Sequence, residues 1–237
     1  YYRFEKEPIK QPLQENGDFR SDECVKLLQQ SDIIVTNPPF SLFREYLAQI
    51  MEHKKDFIII ANKNSITYKE VFKLIKENKI WIGFTPMGKD LLFRASESLK
   101  ELFLKTKKAG SGYIIEDNQV KLRSPAIWLT NLEHKKRHTK LILTKHYNSE
   151  DYPHYDNYDA INVDKTKDIP LDYDGIMGVP ISFLDKYNPE QFCLLGIMNT
   201  GEINEGIRYK NTPHGRPIIN GVEKYLRILI QKRKDTQ

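Results

Sequence analysis

Apolar and polar positions alternate along this chain in a rhythm that changes near residue 84. Ser21 followed by Asp22 and Glu23 marks a helix start, a capping hydroxyl ahead of acids in the first turn, and predicts a helix to about Gln30. Asp32-Ile33-Ile34-Val35-Thr36 is a short β-branched run of the kind found in a buried parallel strand, and Pro38 and Pro39 stop it. Leu42, Phe43, Tyr46, Leu47 and Ile50 then recur at helical spacing, with Arg44, Glu45 and Gln49 on the opposite face. Phe57–Ile60 reads as a second buried strand, and Thr67 and Glu70 form a capping-box pattern before the stripe Tyr68, Val71, Phe72 and Ile75. Ile80–Phe84 predicts a third strand. Strand, helix, strand, helix, strand at this spacing implies a parallel sheet wound with right-handed crossovers.

Beyond Phe84 the pattern loosens. Residues 85–124 predict a helix near Glu97–Lys107, a break at Gly110-Ser111-Gly112 and a hairpin turning at Asp117-Asn118. Ala126–Asn131 and Lys140–Tyr147 read as strands separated by a basic cluster at His134–His138. Residues 1–16 read as an irregular lead-in. From about Asp151 the chain is rich in Tyr, Asp and Pro, its strands are short, and the last clear element is Tyr225–Ile230. The fold expected is α/β over residues 1–150, with 85–124 as an insert, followed by a more β-rich region at 151–237.

The segment Asn37-Pro38-Pro39-Phe40 stands at the carboxyl end of the first predicted buried strand, where ligands of open α/β sheets bind. With Pro at about 5% of residues, chance produces such a tetrapeptide in well under about one chain in a hundred. Its chemistry suits one task. The exocyclic nitrogen of adenine is a poor nucleophile because its lone pair is delocalised into the ring. Two acceptors holding both N–H bonds favour a pyramidal nitrogen and stabilise the charge that develops as an electrophilic methyl arrives. The Asn37 side-chain oxygen is one acceptor and the Pro38 carbonyl the other. Pro38 and Pro39 have no N–H to compete, and their fixed φ angles hold the carbonyl in place. Phe40 offers a face on which a base drawn out of its stack can lie. The alternative reading is a strand ending in a Pro-Pro turn, with Phe40 in the core.

Residues 32–46 resemble the catalytic segment of the EcoRI-type adenine-specific DNA methyltransferases. The likeness extends to Gly17-Asp18-Phe19-Arg20-Ser21, Ile66–Glu70, Thr130–His138, Tyr155–Val163, Asp174–Pro180 and Tyr225–Lys232, and so covers most of the chain. It implies a class I S-adenosylmethionine-dependent methyltransferase sheet, Rossmann-like, with Asn37, Pro38, Pro39 and Phe40 gripping a flipped-out adenine. Asp18 and Phe19 match the place where related enzymes hydrogen-bond and stack the adenine of S-adenosylmethionine; read alone, they fit a turn before a helix with Phe19 in the core. Nothing ahead of Asp18 supplies a strand, a glycine loop and a helix in succession. The sheet is therefore expected to lack its first strands, which would lie upstream of Tyr1.

The net charge of +5 is compatible with a polyanion and does not require one. The partner implied by the resemblance is double-stranded DNA, within a restriction-modification system. In the insert, Lys89, Arg94, Lys121 and Arg123 are candidates for phosphate contact. Asn62, Lys63 and Asn64, at the end of the second strand, are placed to border the base pocket. Lys135, Lys136 and Arg137 are a denser candidate for DNA contact; if Ala126–Asn131 runs antiparallel, they point away from the cofactor edge, and a solvated loop is the better reading. No stretch approaches the ~18 apolar residues of a membrane span. Cys24 and Cys193 match no metal or disulfide spacing and suit the cytoplasm; no metal is expected. The same tetrapeptide serves methyltransferases of ribosomal RNA and of protein glutamine. A catalytically silent remnant binding DNA or a partner is the rival of another class.

Overall fold

The computed structural model describes residues 2–4, 8–10, 12–88, 90–106, 112–117, 119–199, 207 and 215–234, with the backbone alone at 2–4, 8–10 and 106. In place of an irregular lead-in, β1 (Tyr2–Phe4) and β2 (Pro8–Lys10) pair antiparallel. Helix α1 (Asp22–Gln30) starts where expected. Ser21 is its N-cap, accepting from the Cys24 amide at 3.3 Å, and Asp22 and Glu23 sit in the first turn.

β3 (Ile33–Thr36), α2 (Phe43–Glu52) and β4 (Asp56–Asn62) form a parallel βαβ unit in which Thr36 lies opposite Ile59. Then come α3 (Lys69–Lys76) and the two-residue β5 (Trp81–Ile82), shorter than the run Ile80–Phe84. The capping box does not form. Residues 63–67 make a 3₁₀ turn in which the Thr67 hydroxyl donates to the Asn64 carbonyl, and α3 starts from Tyr68 without a side-chain cap.

The insert contains β6 (Leu91–Arg94), α4 (Glu97–Thr106), β7 (Tyr113–Glu116) and β8 (Gln119–Ser124), a three-stranded antiparallel sheet in the order β6-β8-β7. The β7–β8 hairpin turns through Asp117, whose φ of 48° is left-handed. β9 (Ala126–Thr130) follows and overturns one expectation. The third strand of the winding, β5, does not pair with β4; β9 lies between them, antiparallel to both, in the order β3-β4-β9-β5. The α3 crossover skips one strand position, and the apolar run Ala126-Ile127-Trp128-Leu129 fills the slot and pairs both neighbouring edges.

Burial corrects the reading of β3. Ile33 is 50% and Val35 68% exposed, because β3 is the edge of its sheet and one of its faces is uncovered. β4, one place further in, buries Phe57, Ile59 and Ala61 completely.

The remaining strands are β10 (Ile161–Asn162), β11 (Met177–Pro180), β12 (Phe192–Ile197), β13 (Ile218–Ile219), β14 (Val222–Glu223) and β15 (Arg227–Lys232). Four of them form a second sheet, β10-β11-β15-β12; β13 and β14 make a hairpin through Asn220 and Gly221, at φ 50° and 75°. Lys140–Tyr147 is extended without being a strand. Leu141, Leu143 and Tyr147 alternate toward the core as a strand would, and the Gln191 side chain replaces the ladder, accepting from the Leu141 amide and donating to its carbonyl, both at 2.8 Å. One apolar cluster joins Ile50, Phe57, Phe72 and Leu129 to Met177, Phe183, Phe192 and Ile230, so the two sheets share a core. Among the described residues no helix is long and apolar enough to cross a membrane.

Candidate active site

β3 delivers Asn37 to the carboxyl edge of the sheet, and the next three residues turn the chain into α2. Pro38 is buried, Asn37 and Pro39 are exposed, and Phe40 is 49% exposed, so the reading that places Phe40 in the core fails. The Pro39 carbonyl accepts from the Leu42 amide at 3.0 Å and starts the 3₁₀ turn Phe40–Leu42. None of the described residues donates to the Pro38 carbonyl or to the Asn37 side-chain oxygen. Both acceptors are thus available at this edge.

Beside them lies an open groove of about 750 Å³. The strand β3 and residues 36–39 form one wall, Cys24, Leu27 and Leu28 of α1 another, and Gly17, Asp18 and Phe19 a third. The structure therefore brings Asp18 and Phe19 together with Asn37, Pro38 and Pro39, although the two groups are separated in sequence by the whole of α1. Gly17 turns the chain at φ 78°, a conformation that costs a side-chain-bearing residue far more. The Asp18 carboxylate accepts from the Arg20 side chain at 2.7 and 3.0 Å and from the Arg20 amide at 2.9 Å. These bonds to Arg20 hold its pKa down to about 2, so it is ionised, and an acceptor, across the physiological range. Phe19 is half-buried, edge-on to Tyr46 with centroids 5.0 Å apart, and its carbonyl accepts from Gln49 at 3.2 Å.

Arg20, Tyr46 and Gln49 are participants that sequence reasoning missed. Tyr46 was visible as part of a helical stripe; nothing local tied that stripe to Phe19. Phe40 and Asn62–Asn64 stand on the same carboxyl edge, outside the groove wall. The Asn62 side chain accepts from the Asn64 amide at 2.9 Å, and Lys63 pairs with Asp90 at 2.8 Å while its amide donates to the Pro125 carbonyl. Lys63 thus ties the insert to the sheet, and the Asn62–Asn64 bond shapes the turn that presents it.

Arg94, Lys121 and Arg123 lie on the insert, which leaves the sheet at the end of β5 and re-enters at Ala126, opposite Asn62. Lys89 lies outside the described residues. The basic cluster is at the other edge, since β9 is antiparallel and its end pairs with Ile58. There Lys135 is exposed, but Lys136 donates to the Phe84 carbonyl and burial lowers its pKa. Arg137 lies over the Trp81 ring, 3.8 Å from its centroid, and pairs with Glu133. Among the described residues no group of three or more His, Cys, Asp or Glu side chains could hold a metal ion.

The family model for the adenine-specific methyltransferase EcoRI matches residues 4–233, nearly the whole chain. The chain belongs to this methyltransferase family. It is 51% identical over 223 residues to the type II methyltransferase M.EcoRI of Escherichia coli, covering 92% of this chain and 63% of that protein. It is 37% identical to M.MpnI of Mycoplasma pneumoniae, over 98% of this chain and 74% of the relative. To M.MgeORF184P of Mycoplasma genitalium it is 34% identical, over 95% and 72%. The chain thus spans just under two thirds of the Escherichia coli relative's length. No solved structure matches it.

For this family the implied methyl donor can be tested against the groove. A volume near 750 Å³ lies inside the ~300–1,000 Å³ range of small-molecule sites. The ionised Asp18 and the Phe19 ring supply an acceptor and a stacking face for an adenine ring, and the groove runs to Asn37. The described residues fit the nucleoside end of such a donor.

Proposed function

We propose that this chain carries the catalytic edge of an S-adenosylmethionine-dependent DNA methyltransferase acting on the exocyclic amino group of adenine in double-stranded DNA, in the cytoplasm, as the modification partner of a restriction system. The observation that supports this most is the pair of unsatisfied acceptors at Asn37 and Pro38, set where the groove opens onto the carboxyl edge of β3. The edge position of β3 and its uncovered apolar face also support a Rossmann-like class I sheet continued by further strands along that edge and covered by further helices on that face.

Bound in the groove, S-adenosylmethionine supplies an electrophilic methyl group. The chain's own residues do the rest. Asp18 and Phe19 orient the donor's adenine by an accepted hydrogen bond and a stacked face. The Asn37 side-chain oxygen and the Pro38 carbonyl each accept one N–H of the target amine, turn its lone pair toward the groove and stabilise the cation formed as the methyl transfers. The methylated amine is acidic enough to lose its proton to water, so no general base is assigned. Phe40, exposed at the rim, stacks on the extruded base. Asn62 and Asn64 border that base. Residues 1–150 carry this chemistry, and 151–237 are left for target recognition.

The test is transfer of labelled methyl from S-adenosylmethionine to unmethylated DNA by the chain and by Asn37→Ala. Loss of one of two acceptors is expected to lower turnover ~10²–10³-fold, the scale for one transition-state hydrogen bond. Label appearing on ribosomal RNA or on protein glutamine instead would reassign the substrate while leaving the motif's role intact. No transfer to any of them would leave a binding remnant.

A further inference from the structure

We infer that the open face of the insert sheet, carrying Arg94, Lys121 and Arg123, is a phosphate-contact surface that holds the duplex beside the Asn37 edge. This rests on the proposed action on DNA and says where the backbone lies.

Register defines the face. Arg94 stands opposite Lys121, and Leu92 opposite Arg123, so all four project to one side of β6 and β8. The other side is occupied by α4, whose Phe103 stacks on Tyr113 at 4.2 Å between centroids and beneath which Val120 is buried. Arg94 and Arg123 are exposed, and neither has an ion-pair partner among the described residues. Lys121 pairs with Glu116 at 2.8 Å, and Asp90, itself paired with Lys63, is close enough to Arg123 to feel its charge, so the face keeps a net positive charge carried mainly by the two arginines. Guanidinium forks on adjacent strands match phosphate oxygens bidentately.

Position argues for the backbone of the same nucleic acid whose base is extruded at Asn37. The insert rises from the carboxyl edge and is pinned there by the Lys63–Asp90 ion pair and by the Lys63 amide on Pro125. The insert that carries the basic face thus stands on the same carboxyl edge as Asn37 and Phe40. Contacts of this type set orientation and add affinity without reading sequence.

The experiment measures binding of a fluorescent DNA duplex by the 237-residue chain across a salt series, for the native sequence, Arg94→Gln, Arg123→Gln, the double variant, and Lys73→Gln on α3 as a control. Circular dichroism melting checks that each variant folds. Each arginine substitution is expected to reduce the slope of log K against log salt by about one, and the double by about two, equally for different DNA sequences. Lys73→Gln is expected to leave it unchanged. An unchanged slope in a folded double variant overturns the inference, while methyl transfer by the same variant would show that the proposed activity survives. Loss of slope in a chain that transfers no methyl would keep the surface and reject the activity. Binding confined to RNA duplexes, or no nucleic-acid binding by the native chain, overturns the inference as stated.

Discussion

Arg137 separates a structural from a functional reading of the basic cluster. Its guanidinium lies 3.8 Å from the centroid of the Trp81 ring, its side chain is 9% exposed, and it donates to the Asn78 side chain at 3.2 Å. It thereby ties the left-handed turn after α3 to β5 and to the turn that follows β9. A partly desolvated cation–π contact is worth about 1–2 kcal/mol, and a hydrogen bond from a charged group about 1.5–3 kcal/mol. The Glu133 partner is 57% exposed, so that ion pair adds under about 1 kcal/mol. Against these, the buried Arg137 Nε has no hydrogen-bond partner, and removing it relieves about 1–2 kcal/mol of desolvation. Arg137→Ala is therefore expected to cost about 2–3 kcal/mol, or about 5–10 °C in Tm for a chain of this size. Arg137→Lys recovers less than half, because an ammonium cannot lie flat on the ring. Thermal unfolding followed by tryptophan fluorescence is well suited, since Trp81 sits under the guanidinium and the one other tryptophan is Trp128. A Tm shift below about 2 °C refutes this reasoning. So does a folded, undiminished variant that has lost affinity for DNA, which would return Arg137 to the contact surface.

Three further outcomes are expected. Asn131 accepts from the Phe57 amide at 2.8 Å and donates to the Lys55 carbonyl at 3.0 Å, so Asn131→Ala strands an amide at the start of β4 and costs about 2–3 kcal/mol by thermal melting; Asn131→Asp, which keeps the acceptor, costs less. His138 is hydrogen-bonded by Glu133 and Glu190, which raise its pKa above 6.5. Its stabilisation is then full below about that pH and lost as pH rises through the raised folded-state value, so Tm should fall from pH 6 to 9 in the native chain and stay flatter in His138→Gln. Phe19→Ala should weaken S-adenosylmethionine binding ~5–100-fold in titration calorimetry, the equivalent of one ~1–3 kcal/mol stacking contact, with little change in Tm.

What the chain wrote locally was readable. The Ser21 cap, the βαβ rhythm of residues 32–60, α4, the turn at Asp117 and the strand-end position of Asn37-Pro38-Pro39-Phe40 depend on residues a few places apart, whose steric and capping preferences act whatever surrounds them. The course of β9 was left open by the sequence, and with it the place of the Lys135–Arg137 cluster; antiparallel pairing with β4 and β5 decided both. The tertiary structure decided matters that join distant segments. β9 entered the slot between β4 and β5 because an unpaired pair of edges had to be filled, a demand no local window contains. Lys140–Tyr147 alternates like a strand, yet its hydrogen bonds are met by the Gln191 side chain at Leu141 and by Leu171 and Asp172 at Lys145 and Tyr147. Ile33 and Val35 look like core by composition and are exposed by rank in the sheet. Arg137 reads as part of a solvated loop until Trp81 is found beneath it. The groove itself is of this kind: Asp18 and Asn37 each announce an acceptor in sequence, but only the docking of Phe19 and Arg20 on Tyr46, Gln49 and Glu45 of α2 sets them along one cavity, because that contact joins segments 25 to 30 residues apart.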